Sequence, residues 1–359
     1  MGFMTSATLE AASEAAALEL FHSNGWTDGL PVVIPTPERV EAMLAWSQGL
    51  DGDIVLGEMG PAGGEATVAK LAVNAVMAGC LPEYFPVVLA ATEAVLDPAF
   101  AHEVMQQTTH AITPLIIVNG PIRGELGLAS GTGALGPGHR ANASIGRALR
   151  LILINVGGGR VGEGDMAILG SPAKFAMCVA EAEEDSPFEP LNVARGFSAD
   201  QSTVTVIPVE GPHVVHSLRE SQNAASSADR ILAAMANALG NIGSPSTYNG
   251  QGNVAALFNP DHAHILAGAG LTRRAIQERL WRETSHTHAQ LKVYGPGMVQ
   301  QEGASDDQIY TTTRSPDDIV VAVCGAAGGY SVAMPTQGAS PGRGLAITRP
   351  IRGPEVCEI

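Results

Sequence analysis

Apolar residues recur at helical spacing over 7–23, where Leu9, Ala12, Ala16, Leu20 and Phe21 share one side. Asp28-Gly29 then marks a turn, and Pro31-Val32-Val33-Ile34 reads as a strand. Thr36, Pro37 and Glu38 form a helix start: a capping hydroxyl, a proline at the first position and a favourable charge on the dipole. Val68, Leu71, Ala72, Ala75 and Val76 predict a helix over 66–78, which Gly79 stops. Pro82 and Pro86 open another helix, running to about Ala94.

A recurring device follows, in which an apolar run ends abruptly in a turn. Leu115–Val118 runs into Asn119-Gly120-Pro121, and Val204–Val209 into Glu210-Gly211-Pro212. Val254–Phe258 runs into Asn259-Pro260, and Ile319–Val323 into Cys324-Gly325. These are strands that stop at tight turns. Together with the helices they predict an α/β (or α+β) fold, a mixed sheet with flanking helices. Residues 66–154 and 226–283 share a helix–strand–helix order, a weak sign of internal duplication. The chain reads as one large unit, or as two intimate halves, 1–200 and 201–359. Ligands bind outside the carboxyl ends of strands in α/β sheets, so Asn119, Glu210, Asn259 and Cys324 are expected to converge on one cleft.

Composition narrows the function. Of the 359 residues 45% are hydrophobic, enough for a large core, and the formal net charge of −16 argues against nucleic-acid binding. Only 16% are charged, which favours a homo-oligomer that hides part of its surface. No apolar run is long enough to span a membrane, and the N-terminus lacks a signal-peptide pattern. Cys80, Cys178, Cys324 and Cys357 are too scattered for a zinc knuckle or a disulfide framework. Reduced thiols and a cytoplasmic location are the expectation.

Four constellations could carry chemistry. A glycine-rich loop, Gly127 to Gly138, leads into His139, Arg140, Asn142 and Arg147. Gly131, Gly133 and Gly136 match a dinucleotide fingerprint by spacing, but the preceding strand and the later acid are missing. What remains is an anion pocket at a helix start, with Arg140 and Arg147 as a clamp for a small anionic substrate. Its bland counterpart is a flexible loop whose arginines pair with surface acids. Cys80 lies between a helix stop and a helix start, where a dipole could lower its pKa and make it a nucleophile or redox thiol. Packing is the competing role, as it is for Cys324. Cys178 and Cys357 read as structural. His213, His216 and Glu210 cluster at one strand end, while His262/His264 and His286/His288 form further pairs. His213 or His110 could act as general base; Glu210, His213 and His216 could instead hold a divalent metal. No motif names a cofactor.

Several of these segments carry a family resemblance. Thr27–Val32, Val73–Cys80 with Pro82-Glu83-Tyr84, Asn119-Gly120-Pro121, Arg140-Ala141-Asn142 with Ile145–Ala148, and Glu210–His213 look like a largely uncharacterised bacterial family. That family is associated with the UGSC (seleno)protein family, named for its Sec-Gly-Ser-Cys motif. The resemblance implies thiol or selenol chemistry, in a two-component arrangement with a redox partner protein. This chain has no Gly-Ser-Cys motif, so such a role would fall to Cys80, Cys324 or another subunit. The leading expectation is an enzyme, or its substrate-binding subunit, acting on a small anionic molecule. The alternatives are a metal-dependent hydrolase or lyase and a non-catalytic partner subunit.

Overall fold

A computed structural model describes residues 8–217, 224–249, 252–293, 303–336 and 343–352. Its strands are β1 (Val55–Met59), β2 (Gly64–Thr67), β3 (Thr113–Asn119), β4 (Cys178–Ala180), β5 (Thr203–Val209) and β6 (His213–His216), then β7 (Val254–Phe258), β8 (His286–Thr287), β9 (Ile309–Tyr310), β10 (Ile319–Val323), β11 (Tyr330–Met334) and β12 (Ile347–Pro350). Two sheets of four strands dominate, ordered β12-β5-β3-β4 and β10-β7-β11-β6. The fold is mixed α/β.

The two sheets repeat one pairing scheme. In the first, β3 runs parallel to β4 and antiparallel to β5, and β5 is antiparallel to β12. In the second, β7 runs parallel to β10 and antiparallel to β11, and β11 is antiparallel to β6. The fourth strand of each sheet is exchanged. β6 follows β5 in sequence but joins the second sheet, and β12 follows β11 but joins the first. The first sheet therefore takes strands from both sides of position 200, whereas all four strands of the second come after it. The repeated unit is larger than the helix–strand–helix seen in the sequence.

Period-two alternation explains how the layers stack. In β3, Leu115 and Ile117 point into a core shared with Ala255 and Leu257 of β7 and Val320 and Ala322 of β10. Ile116 and Val118 face the opposite way, into a core built with helices Val68–Ala78, Phe85–Val95 and Arg140–Asn155. Val254, Ala256, Phe258, Ile319, Val321 and Val323 likewise pack on helices Ala224–Leu239, Pro260–Gly268 and Arg273–Glu283. The result is helices, sheet, sheet, helices. Strands buried on both faces need little polar alternation, which is why β3, β5, β7 and β10 read as largely apolar runs.

Two local expectations change. The first helix spans Glu14–Ser23, starting seven residues later than the periodicity suggests, with no buried residue. Pro31–Ile34 joins no sheet; Val33 makes one backbone bond, to Met77 O at 3.1 Å. Prolines 31 and 35 flank the run and cannot donate to a ladder. The second helix starts at Pro37 and the Gly79 stop has φ 88°, both as expected, but the Thr36 hydroxyl makes no capping bond.

Candidate functional site

The antiparallel register of β3 and β5 builds the best-formed polar site. Thr113, where β3 begins, lies opposite Val209, where β5 ends. His110, just before β3, is therefore carried to Glu210, just after β5. Gly211-Pro212 then turns the chain out of the first sheet, and His213 opens β6 in the second. The site sits where the chain crosses between sheets.

Glu210 is the hub. Its Oε1 accepts from Ser244 Oγ at 2.9 Å and lies 3.2 Å from His110 Nε2, and its Oε2 lies 3.1 Å from His213 Nε2. Its amide donates to Pro335 O at 2.7 Å, which fixes the turn. Burial pushes the carboxyl upward, but hydrogen bonds from His110 and Ser244 and the charge of both imidazoles hold it below the ordinary glutamate value. It is a carboxylate at neutral pH. An ionised carboxylate only accepts, so each neutral ring carries its proton on Nε2 and leaves Nδ1 as a lone-pair acceptor. His110 Nδ1 is buried without a partner, while the His213 side chain is 41% exposed.

These groups border a cavity of about 580 Å³ whose other walls include Leu135, Ser171, Ala173 and Met177. Two glycines let its walls close. A Cβ on Gly146 would lie 2.9 Å from Met177 N, and one on Gly211 would lie 3.2 Å from Ser171 Oγ. The cavity is small-molecule sized, apolar on one side and polar on the other.

The remaining candidates lie elsewhere, and the expected convergence holds for three strand ends, not four: Asn119 and Val323-Cys324 meet at Glu181, Asn259 lies beside Cys324, and Glu210 is apart. β3 and β5 are antiparallel, so Asn119 and Glu210 lie at opposite ends of a seven-residue strand, roughly 20 Å apart. Asn119 Nδ2 donates to Glu181 Oε2 at 2.5 Å and to Glu183 Oε1 at 2.9 Å. Cys324 follows the end of β10, next to Asn259 at the end of β7. Asn259 caps helix Pro260–Gly268 and donates to Gly328 O and Tyr330 O.

The arginine clamp is also corrected. Arg147 forks Asp28 with two 2.8 Å bonds, and the Asp28 side chain is only 4% exposed. Arg140 reaches Gly79 O at 3.1 Å. Asn142 ties Ala129, Ala134 and Cys178 together, and His139 bonds Thr132 O, near Gly133 at φ 69°. The loop is fastened by its own polar groups, so the two arginines hold protein atoms.

Cys80 is the third correction. Burial pushes its thiol up to about 12, despite a hydrogen bond with Ser144 and the charge of Arg140. Its amide is spent on Ala75 O, closing the helix before it, and Pro82–Tyr84 forms only a 3₁₀ turn. Cys178 and Cys324 are buried with raised thiols too. Cys357 lies outside the described residues.

His216 is parted from His213. It pairs across β11 with Tyr330, three residues along β6, and stacks on that ring with centroids 4.7 Å apart. Among the described residues, no group of three or more His, Cys, Asp or Glu side chains is placed to hold a metal ion. His262 bonds Ser331 and Ser217 O, and His286 bonds Gly240 O. No described helix is long and apolar enough to cross a membrane. The sequence reading missed Ser244 and Ser171, which stand in the site only because distant loops fold there. Comparison with protein-family models, curated proteins and solved structures finds no match.

Proposed function

We propose that this chain is an enzyme that moves a proton on a small polar organic molecule held against Glu210, His110 and His213. The observation that supports it most is the single carboxylate bonded to two imidazoles on the wall of a small-molecule-sized cavity. His213 Nδ1 is the general base. Its ring becomes positive as it takes the proton, and the Glu210 carboxylate stabilises that charge while fixing the tautomer. His110 shares the carboxylate and helps to hold it ionised. The reaction class is elimination, isomerisation or water-assisted hydrolysis. Thiol chemistry has less support, because each described cysteine is buried and its thiol is raised.

The test is a panel of activated esters and hydroxy, keto and amino acids, followed by NMR for turnover and solvent deuterium uptake. Wild type is expected to process at least one class, and His213→Ala to lose about 100- to 10,000-fold of that rate. Turnover by His213→Ala and Glu210→Gln at the native rate would remove the proposal.

A further inference from the structure

A second cleft opens on the far side of the sheets. β10 and β12 are edge strands, one from each main sheet. Between them lies a cavity of about 480 Å³ that takes in helix Arg273–Glu283 and the segment after β4. Four arginines line it: Arg195, Arg273, Arg274 and Arg349. Two are neutralised: Arg274 by Glu278 and Asp317, and Arg349 by Asp97.

The other two are not used up. Arg195 Nε donates to Thr348 Oγ1 and its Nη2 to Ala346 O at 2.7 Å, both uncharged acceptors. No carboxylate among the described residues pairs with it. Burial lowers its pKa with nothing to offset the loss of water. Arg273 is only 8% exposed, and its Nε and Nη1 are buried with no partner at all. Its Nη2 donates to Glu189 O and pairs with the Glu181 carboxylate at 3.6 Å, which leaves Nε and Nη1 free for another acceptor. Two orphaned donors on a buried guanidinium are costly, and they become favourable when an oxyanion accepts from them. In a chain of net charge −16, four guanidinium groups around one cleft are not generic.

We propose that this cleft binds a small molecule through a phosphate or carboxylate group, with Arg273 and Arg195 supplying the guanidinium forks. The planar fork matches the two oxygens of either group, which a lysine would not. The site is separate from the Glu210 cavity, so its ligand is a second substrate group or an effector. It places the anionic group expected from the sequence on arginines other than Arg140 and Arg147.

Titration calorimetry at constant ionic strength, with chloride as background, tests this using inorganic phosphate and citrate as probes. Wild type is expected to bind at least one of them saturably at one site. Arg195→Gln should weaken that binding by at least about tenfold, the loss of one charge-assisted pair of bonds. Arg195→Lys, which keeps charge and bulk, should fall between the two and guards against a folding defect in Arg195→Gln. Glu210→Gln should bind the same probe as wild type. The relative affinity of the two probes assigns the group as phosphate or carboxylate. Absence of saturable binding for both probes at about 10 mM, or unchanged binding in Arg195→Gln, overturns the proposal.

Discussion

Each end of β3 lies beside a glutamate that follows a neighbouring strand, and the two are handled in opposite ways. At the Asn119 end, Glu181 is fully buried, and its oxygens receive Asn119, the amides of Leu191 and Val323, and the nearby charge of Arg273. Burial raises its pKa, and those donors oppose the rise. At the His110 end, Glu210 keeps a route to a cavity, and its donors overcome burial. One carboxylate cross-links β4, the following loop and β10. The other holds two titratable rings beside open space. A carboxylate whose own oxygens are all taken up inside the protein serves the fold, and one that keeps a side open to a cavity can serve a substrate.

Substitutions should separate the two ends. The largest effect is expected on activity at the open end. His213→Ala should cost about 100- to 10,000-fold in rate, with a far-ultraviolet spectrum and Tm close to wild type, because the side chain is 41% exposed. At the closed end Glu181→Ala should act on the fold. It strands Arg273 and two backbone amides, and should cost about 3–5 kcal/mol in denaturant unfolding. Asn119→Ala should cost about 1–3 kcal/mol in the same measurement, without a specific effect on rate. If His213→Ala unfolds the protein while Glu181→Ala leaves its stability untouched, the contrast is reversed.

pH sharpens the same comparison. The folded pKa of Glu210 is depressed, so its contribution to stability is present above the unfolded glutamate value of about 4.3 and is lost as pH falls through the folded value. Wild type should therefore lose more stability than Glu210→Gln between about pH 5 and pH 2, as read by urea unfolding across that range. The smallest effect concerns Cys80. With its thiol near 12 and buried, alkylation at neutral pH should be slower than that of a free cysteine, and Cys80→Ser should keep native turnover.

The strands buried on both faces were legible because burial on two sides favours apolar residues at successive positions. β3, β5, β7 and β10 stand out as apolar runs closed by turns. β4, β6, β11 and β12 did not: β4 is only three residues long, and the other three carry exposed or half-buried positions, such as Val214 and Tyr330, so nothing local separates them from loop. Glu210 and His213 were legible as a local group. Their union with His110 depended on antiparallel register between strands that lie far apart in sequence. The same register parted Asn119 from Glu210, because the strand-end rule presumes parallel neighbours and β5 runs the other way. Arg147 was misassigned for a related reason. Its partner, Asp28, comes from the chain start, where the Asp28-Gly29 turn gave no sign of an ion pair.

The most direct test is a ¹³C NMR titration of the Glu210 side-chain carboxyl, assigned by its absence in Glu210→Gln. A Glu210-centred acid–base site predicts a midpoint below the ordinary glutamate value in wild type. It also predicts that the midpoint moves up when His110 and His213 are both replaced by alanine. A wild-type midpoint at or above the ordinary value, unmoved by the double replacement, would contradict it.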